Sequence, residues 1–144
     1  MRRQSFTSLA ALAALVSAVG CANSPGTVEK KQESSTETAQ GKVETKTEQK
    51  QVGNTLEATS QTKADTPGGT VKTKTETYVG TVTVYTPGKK IEIMTGEKKM
   101  HSFNLDDKDV MANVAGGIVV GSRVKLVEET GDDKAHRITV SLQG

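Results

Sequence analysis

The chain of 144 residues has one cysteine, no tryptophan, three prolines and only two tyrosines and two phenylalanines. A single cysteine excludes an internal disulfide framework. So few aromatic rings leave no platform on which bases or sugars could stack. An excess of one charge sign is missing too. The formal charge is +2, but Arg2 and Arg3 lie in a leader expected to be removed, which leaves 17 basic against 17 acidic residues. A neutral chain has no long-range field to draw in nucleic acid or an anionic surface. No apolar run approaches the roughly 20 residues needed to cross a bilayer as a helix.

The N-terminus is ordered by composition. Arg2 and Arg3 are followed by the short apolar run Leu9 to Val16, then small residues, then Cys21. This is the layout of a cleaved export signal covering residues 1–20. The residues Ala18-Val19-Gly20-Cys21 resemble the lipobox of bacterial lipoproteins. That resemblance implies that the Cys21 thiol carries a diacylglycerol, so that the protein meets the membrane through lipid on Cys21. Two or three acyl chains would give lasting attachment. Ala22 stands where an Asp commonly retains such proteins at the inner membrane, which points to the outer membrane, facing the periplasm.

Residues 21–75 read as a lipidated, disordered tether rich in Thr, Glu, Lys and Gln. From Ala22 to Lys74 the only large aliphatic residues are Val28, Val43, Val52, Leu56 and Val71. They sustain no period of two or 3.6 and bury too little to offset ordering entropy. As a coil the segment would span roughly 40 Å. The run Val43-Glu44-Thr45-Lys46-Thr47-Glu48 returns as Val71-Lys72-Thr73-Lys74-Thr75-Glu76. Two copies fall short of a repeat architecture, and the echo reads as low-complexity drift.

Residues 76–144 change character. Val82 and Val84 alternate with Thr81, Thr83 and Tyr85, the period of a strand with Tyr85 facing outward. Thr86-Pro87-Gly88-Lys89 suits a type II turn. Ile91 and Ile93 face inward on a second strand, Phe103 and Leu105 on a third. Asp106 can cap a short helix in which Val110 and Val114 share a face, closed by Gly116-Gly117. Ile118 to Val120 return to the core. Val124 and Leu126 belong to a fourth strand, and Ile138, Val140 and Leu142 to a fifth. The expected fold is mostly β: a small five-stranded OB-like barrel with one short helix between strands 3 and 4.

Motifs of catalysis are absent. Gly116-Gly117 and Gly121 lack the Gly-Lys-Ser/Thr of a phosphate loop, and Asp106, Asp107 and Asp109 lack EF-hand spacing. His101 and His136 sit in no nucleophile motif. The segment from Tyr78 to Val140 resembles the small periplasmic CusF-type barrels through Gly80 and Val82, Lys89-Lys90-Ile91, Phe103, Gly121 and Val124, and Ile138 and Val140. That resemblance implies Cu(I) or Ag(I) binding and places Met94 and His101 at ligand positions, with Lys99 at a third and no Trp to cap the metal. Two ligands make a poor soft-metal site. The expectation is therefore a non-enzymatic envelope lipoprotein without a cofactor, presenting a barrel to an envelope protein or the cell wall. A periplasmic metal-binding barrel is the second reading.

Overall fold

The computed structural model describes residues 26–132 and 135–144. The export signal and Cys21 lie outside the described residues. The fold is mostly β, as expected, but its architecture differs from a small barrel on a tether. Nine strands join one open sheet: β1 (Thr27–Thr38), β2 (Gly41–Val52), β3 (Thr55–Thr66), β4 (Gly69–Thr86), β5 (Lys90–Met94), β6 (Met100–Asn104), β7 (Val110–Val114), β8 (Arg123–Gly131) and β9 (His136–Leu142). The main path runs β1-β2-β3-β4-β8-β9-β7, with β5 and β6 branching from β4.

The disordered tether is the first correction. From Thr27 onward the segment forms β1, β2, β3 and the first half of β4, an antiparallel meander. Burial of apolar surface does not build it, since no described residue before Val79 is buried. Instead, threonine favours extended backbone and opposite charges pair across strands. On one face Lys31 meets Glu48 and Lys46 meets Glu33, each at 3.4 Å. On the other, hydroxyls pair: Thr45 Oγ1 with Thr62 Oγ1 at 3.4 Å, and Thr47 Oγ1 with Ser60 Oγ at 3.3 Å. Lateral pairing of β3 to β4 then ties the meander to a strand rooted in the core. β4 is 18 residues long and runs straight through the boundary expected at residues 75 and 76.

The echo is the second correction. Val43 faces Ala64, and Ala64 faces Val71. Each residue of the first copy therefore shares a row with its equivalent in the second, across β3. The relation extends to both hairpins, with Thr27 and Thr55, Glu29 and Glu57, Thr38 and Thr66, and Gly41 and Gly69 also matching. The two turns are built alike. Thr38 Oγ1 donates to the Gly41 carbonyl at 3.1 Å, and Thr66 Oγ1 to that of Gly69 at 2.9 Å. The two glycines have φ of 140° and 131°, a region that disfavours a side chain. The echo is a duplicated β-hairpin rather than drift.

The core lies in the second half of the chain. Ile91, Ile93, Val124 and Leu126 are fully buried, with Val82, Phe103, Leu105, Ile118, Ile138 and Val140 around them. The expected turn at Thr86 to Lys89 is present, with Gly88 at φ 70° and Lys89 N donating to Thr86 O at 3.0 Å. Faces differ at five residues. A bulge between Val82 and Val84 shifts the alternation by one, so Val84 is exposed and Tyr85 packs on the core. Leu142, Val119 and Val120 are exposed as well.

The expected helix is a strand. β7 pairs in parallel with β9, with Ala112 opposite Ile138 and Val114 opposite Val140. A spacing of four places Val110 and Val114 on one face of a helix, but also on one face of a strand, and β-branched valines favour the strand. Asp107 Oδ1 accepts from Asp109 N at 3.3 Å, an Asx turn in place of a helix cap. Nor is the sheet a closed five-stranded barrel. β6 and β7 follow one another in the chain but lie at opposite ends of the branch β6-β5-β4-β8-β9-β7 and do not pair.

Candidate functional site

Alternation divides the meander into two unlike faces. One carries Thr45, Thr47, Ser60, Thr62, Thr73 and Thr75; the other carries the acids and every lysine of the meander except Lys30. The charged face forms a trough of about 990 Å³ that reaches from Glu33 and Lys46 across Lys63 and Lys74 to Thr130 and Asp132 on and beside β8. Its charges neutralise one another locally. Lys63 pairs with Asp65 at 2.8 Å and Lys74 with Glu76 at 3.0 Å. Asp132 Oδ2 accepts the Lys72 amide at 2.5 Å and closes the β8 end. Such a surface offers both charge signs and many hydrogen-bonding groups, set among the aliphatic stems of its lysines and threonines.

Outside the trough, at the end of the same charged face that adjoins the core, Glu57 of β3 gathers three donors from the β5–β6 hairpin. Glu57 Oε1 accepts from Thr95 Oγ1 and lies 3.0 Å from His101 Nε2, while Lys99 Nζ reaches Oε2 at 2.9 Å. Partial burial alone would raise the Glu57 pKa. The hydrogen bonds from Thr95, Lys99 and His101, with the Lys99 charge, outweigh it and hold the carboxyl at about 2. The His101 ring packs against Tyr78 at a tilt of 43° with centroids 4.4 Å apart, and Tyr78 lies 5.4 Å from Phe103. Burial, then the acids Glu76, Glu128 and Glu57, push the Tyr78 hydroxyl up to about 12.

The β5–β6 turn is shaped to hold this cluster. Glu97 and Lys98 both adopt positive φ, 60° and 59°, as in the type I′ turns that usually use Asn-Gly. The turn directs Glu97 to Lys50, at 3.2 Å, as Lys99 reaches Glu57. Arg123 adds a bond from its guanidinium to the Asn54 carbonyl. These contacts fasten the duplicated hairpins to the core.

The residues expected to bind metal are not brought together. Met94 faces Met100, and His101 faces Ile93. Directly opposed residues share a face and neighbours alternate, so Met94 lies on one face and His101 on the other. Met94 and Met100 are exposed, whereas the His101 side chain is only 14% exposed and engaged by Glu57. Lys99 is committed to the same carboxylate. Among the described residues no group of three or more His, Cys, Asp or Glu could hold a metal ion. His136 is likewise held by a carboxylate, Glu128 Oε1, at 2.5 Å. Glu57 was not legible as a partner of His101 because 44 residues separate them.

Glu57 has a consequence for acid stability. Its folded pKa lies below its ordinary value of 4.5, so its contribution is present above pH 4.5 and is lost as the pH falls towards 2. Glu57→Gln should cost on the order of 2 kcal/mol at neutral pH after solvent screening. It should also flatten the stability profile between pH 4.5 and 2. Urea melts of both proteins across that range check this, and parallel profiles would refute it.

Among the described residues no helix is long and apolar enough to cross a membrane. No protein-family model, no curated protein and no solved structure matches the chain.

Proposed function

We propose that the protein is a non-enzymatic envelope lipoprotein, attached through lipid on Cys21 to the outer membrane and facing the periplasm, whose sheet is an interaction module. The observation that carries this reading is the placement of the only cysteine behind two arginines and a short apolar run. The start of β1 at Thr27 refines it. Six peptide units separate Thr27 from Cys21, a reach of at most roughly 20 Å. The module therefore stands close to its anchor and extends by its own sheet rather than on a long coil. The trough, with both charge signs and many hydrogen-bonding groups, supports a partner of mixed charge, such as an envelope protein or a wall component.

Cys21→Ser should abolish fatty-acid labelling in cells and move the protein from the membrane fraction to the soluble one. The thiol is the only sulfhydryl available as acceptor. Labelling that persists in this variant would overturn the reading.

A further inference from the structure

β1 is an open edge. All of its residues except Thr27 are exposed, and among the described residues nothing pairs with its outer side. Both faces of the β1–β2 hairpin are polar, so no packed layer supports it, and an additional neighbouring strand would contribute cooperatively. Which groups face outward follows from the ladder. Thr38 faces Gly41 across a two-residue turn, and at the far end Gly53 N donates to Gly26 O at 3.1 Å. Even-numbered residues of β1 thus bond to β2. The odd-numbered ones, from Thr27 to Glu37, present their amides and carbonyls to the open side.

We propose that β1 pairs with β1 of a second copy, antiparallel about a two-fold axis at Gln32. In that register Lys31 faces Glu33 of the second copy, and Glu33 faces its Lys31. Lys31 already pairs with Glu48, and Glu33 with Lys46. Across the interface each row then reads Glu48, Lys31, Glu33, Lys46, with the sign alternating at every strand. Glu29 meets Ser35, Thr27 meets Glu37, and Lys30 meets Ser34, none of them a like-charge contact. One step either way destroys the match. Lys31 would face itself with Glu29 against Glu33, or Glu33 would face itself with Glu29 against Glu37. Two steps in one direction set Lys30 against itself, and two steps in the other leave Glu29 beyond the end of the partner strand. Charged edges ordinarily discourage pairing, and here the same charges select one symmetric register. The inference rests on the fold and not on the lipid anchor.

Cysteine mapping tests it in the full-length chain carrying Cys21→Ser, so that each introduced thiol is the only one. Gln32→Cys should form a disulfide-linked dimer on mild oxidation, because non-hydrogen-bonded antiparallel partners lie about 4.5 Å apart at Cα, within disulfide reach. Lys30→Cys and Ser34→Cys should each fail alone, their own copies being roughly 13 Å apart. Mixed together, those two should crosslink. Adding Lys31→Pro to Gln32→Cys should abolish the crosslink, since it removes an outward amide and leaves the β2 side intact. The proposal is overturned if Gln32→Cys stays uncrosslinked, if Lys30→Cys or Ser34→Cys alone crosslinks as well as Gln32→Cys, or if Lys31→Pro has no effect. A pairing of β1 with a different protein would give the first of these results.

Discussion

Replacing Ile93 with aspartate is expected to unfold the protein, while the same change at the neighbouring Met94 should be tolerated. Ile93 is fully buried between Val82 of β4 and the residues of β6. Its loss removes one of the largest buried side chains and leaves a carboxylate in the cluster of Ile91, Leu126 and Val140, where the facing His101 is already engaged by Glu57. The two penalties together should exceed about 4 kcal/mol, a large part of the stability of any small domain. Met94 is 36% exposed and points to the other face, so Met94→Asp keeps its charge in water. Loss of the circular-dichroism signature and of a cooperative urea transition for Ile93→Asp alone is the expected result. Equal midpoints for the two variants would mean that the faces of β5 are misassigned.

The second large effect is expected at Gly80. A methyl group there would sit 2.4 Å from the Met94 carbonyl oxygen and 2.7 Å from Ile93 Cγ2. The carbonyl belongs to the backbone of β5 and cannot rotate away, so β4 and β5 would have to separate at the point where the polar sheet enters the core. Gly80→Ala should therefore cost about 2–3 kcal/mol. Gly116→Ala serves as the comparison, since nothing lies within 4 Å of the added carbon. Its effect should stay within about 0.5 kcal/mol. A thermal or urea midpoint lowered equally by both substitutions would show that loss of glycine, and not the close approach of β5, is responsible.

Alternation in the second half of the chain was enough to place most of the core. Ile91, Ile93, Phe103, Leu105, Val124, Leu126, Ile138 and Val140 face inward as their spacing implies. It failed at Val84 and Tyr85 because a bulge inserts one residue, and the insertion leaves no mark in composition. It failed at Val110 and Val114 because a spacing of four fits either element, and only the parallel partner β9 decides between them. The meander was missed for a different reason. Hydrophobic patterning detects strands that bury one face, and β1 to β3 bury neither. Their register is held by turns, hydroxyl pairs and charge rows, each of small individual weight. The Glu57 cluster was hidden with them, since its members come from β3 and the β5–β6 hairpin.

By itself the sequence determined the β character, the turn at Pro87-Gly88, most of the inward set in the C-terminal half and the unusual position of Cys21. These are local properties, written in adjacent residues or in a period of two. Tertiary structure alone decided that the Thr, Glu and Lys stretch forms a duplicated hairpin, that the sheet stays open, and that Met94 and His101 part to opposite faces. Those outcomes depend on which strand lies beside which. Pairing between segments tens of residues apart is set by the summed fit of whole edges and faces, and no single stretch of the chain carries that sum.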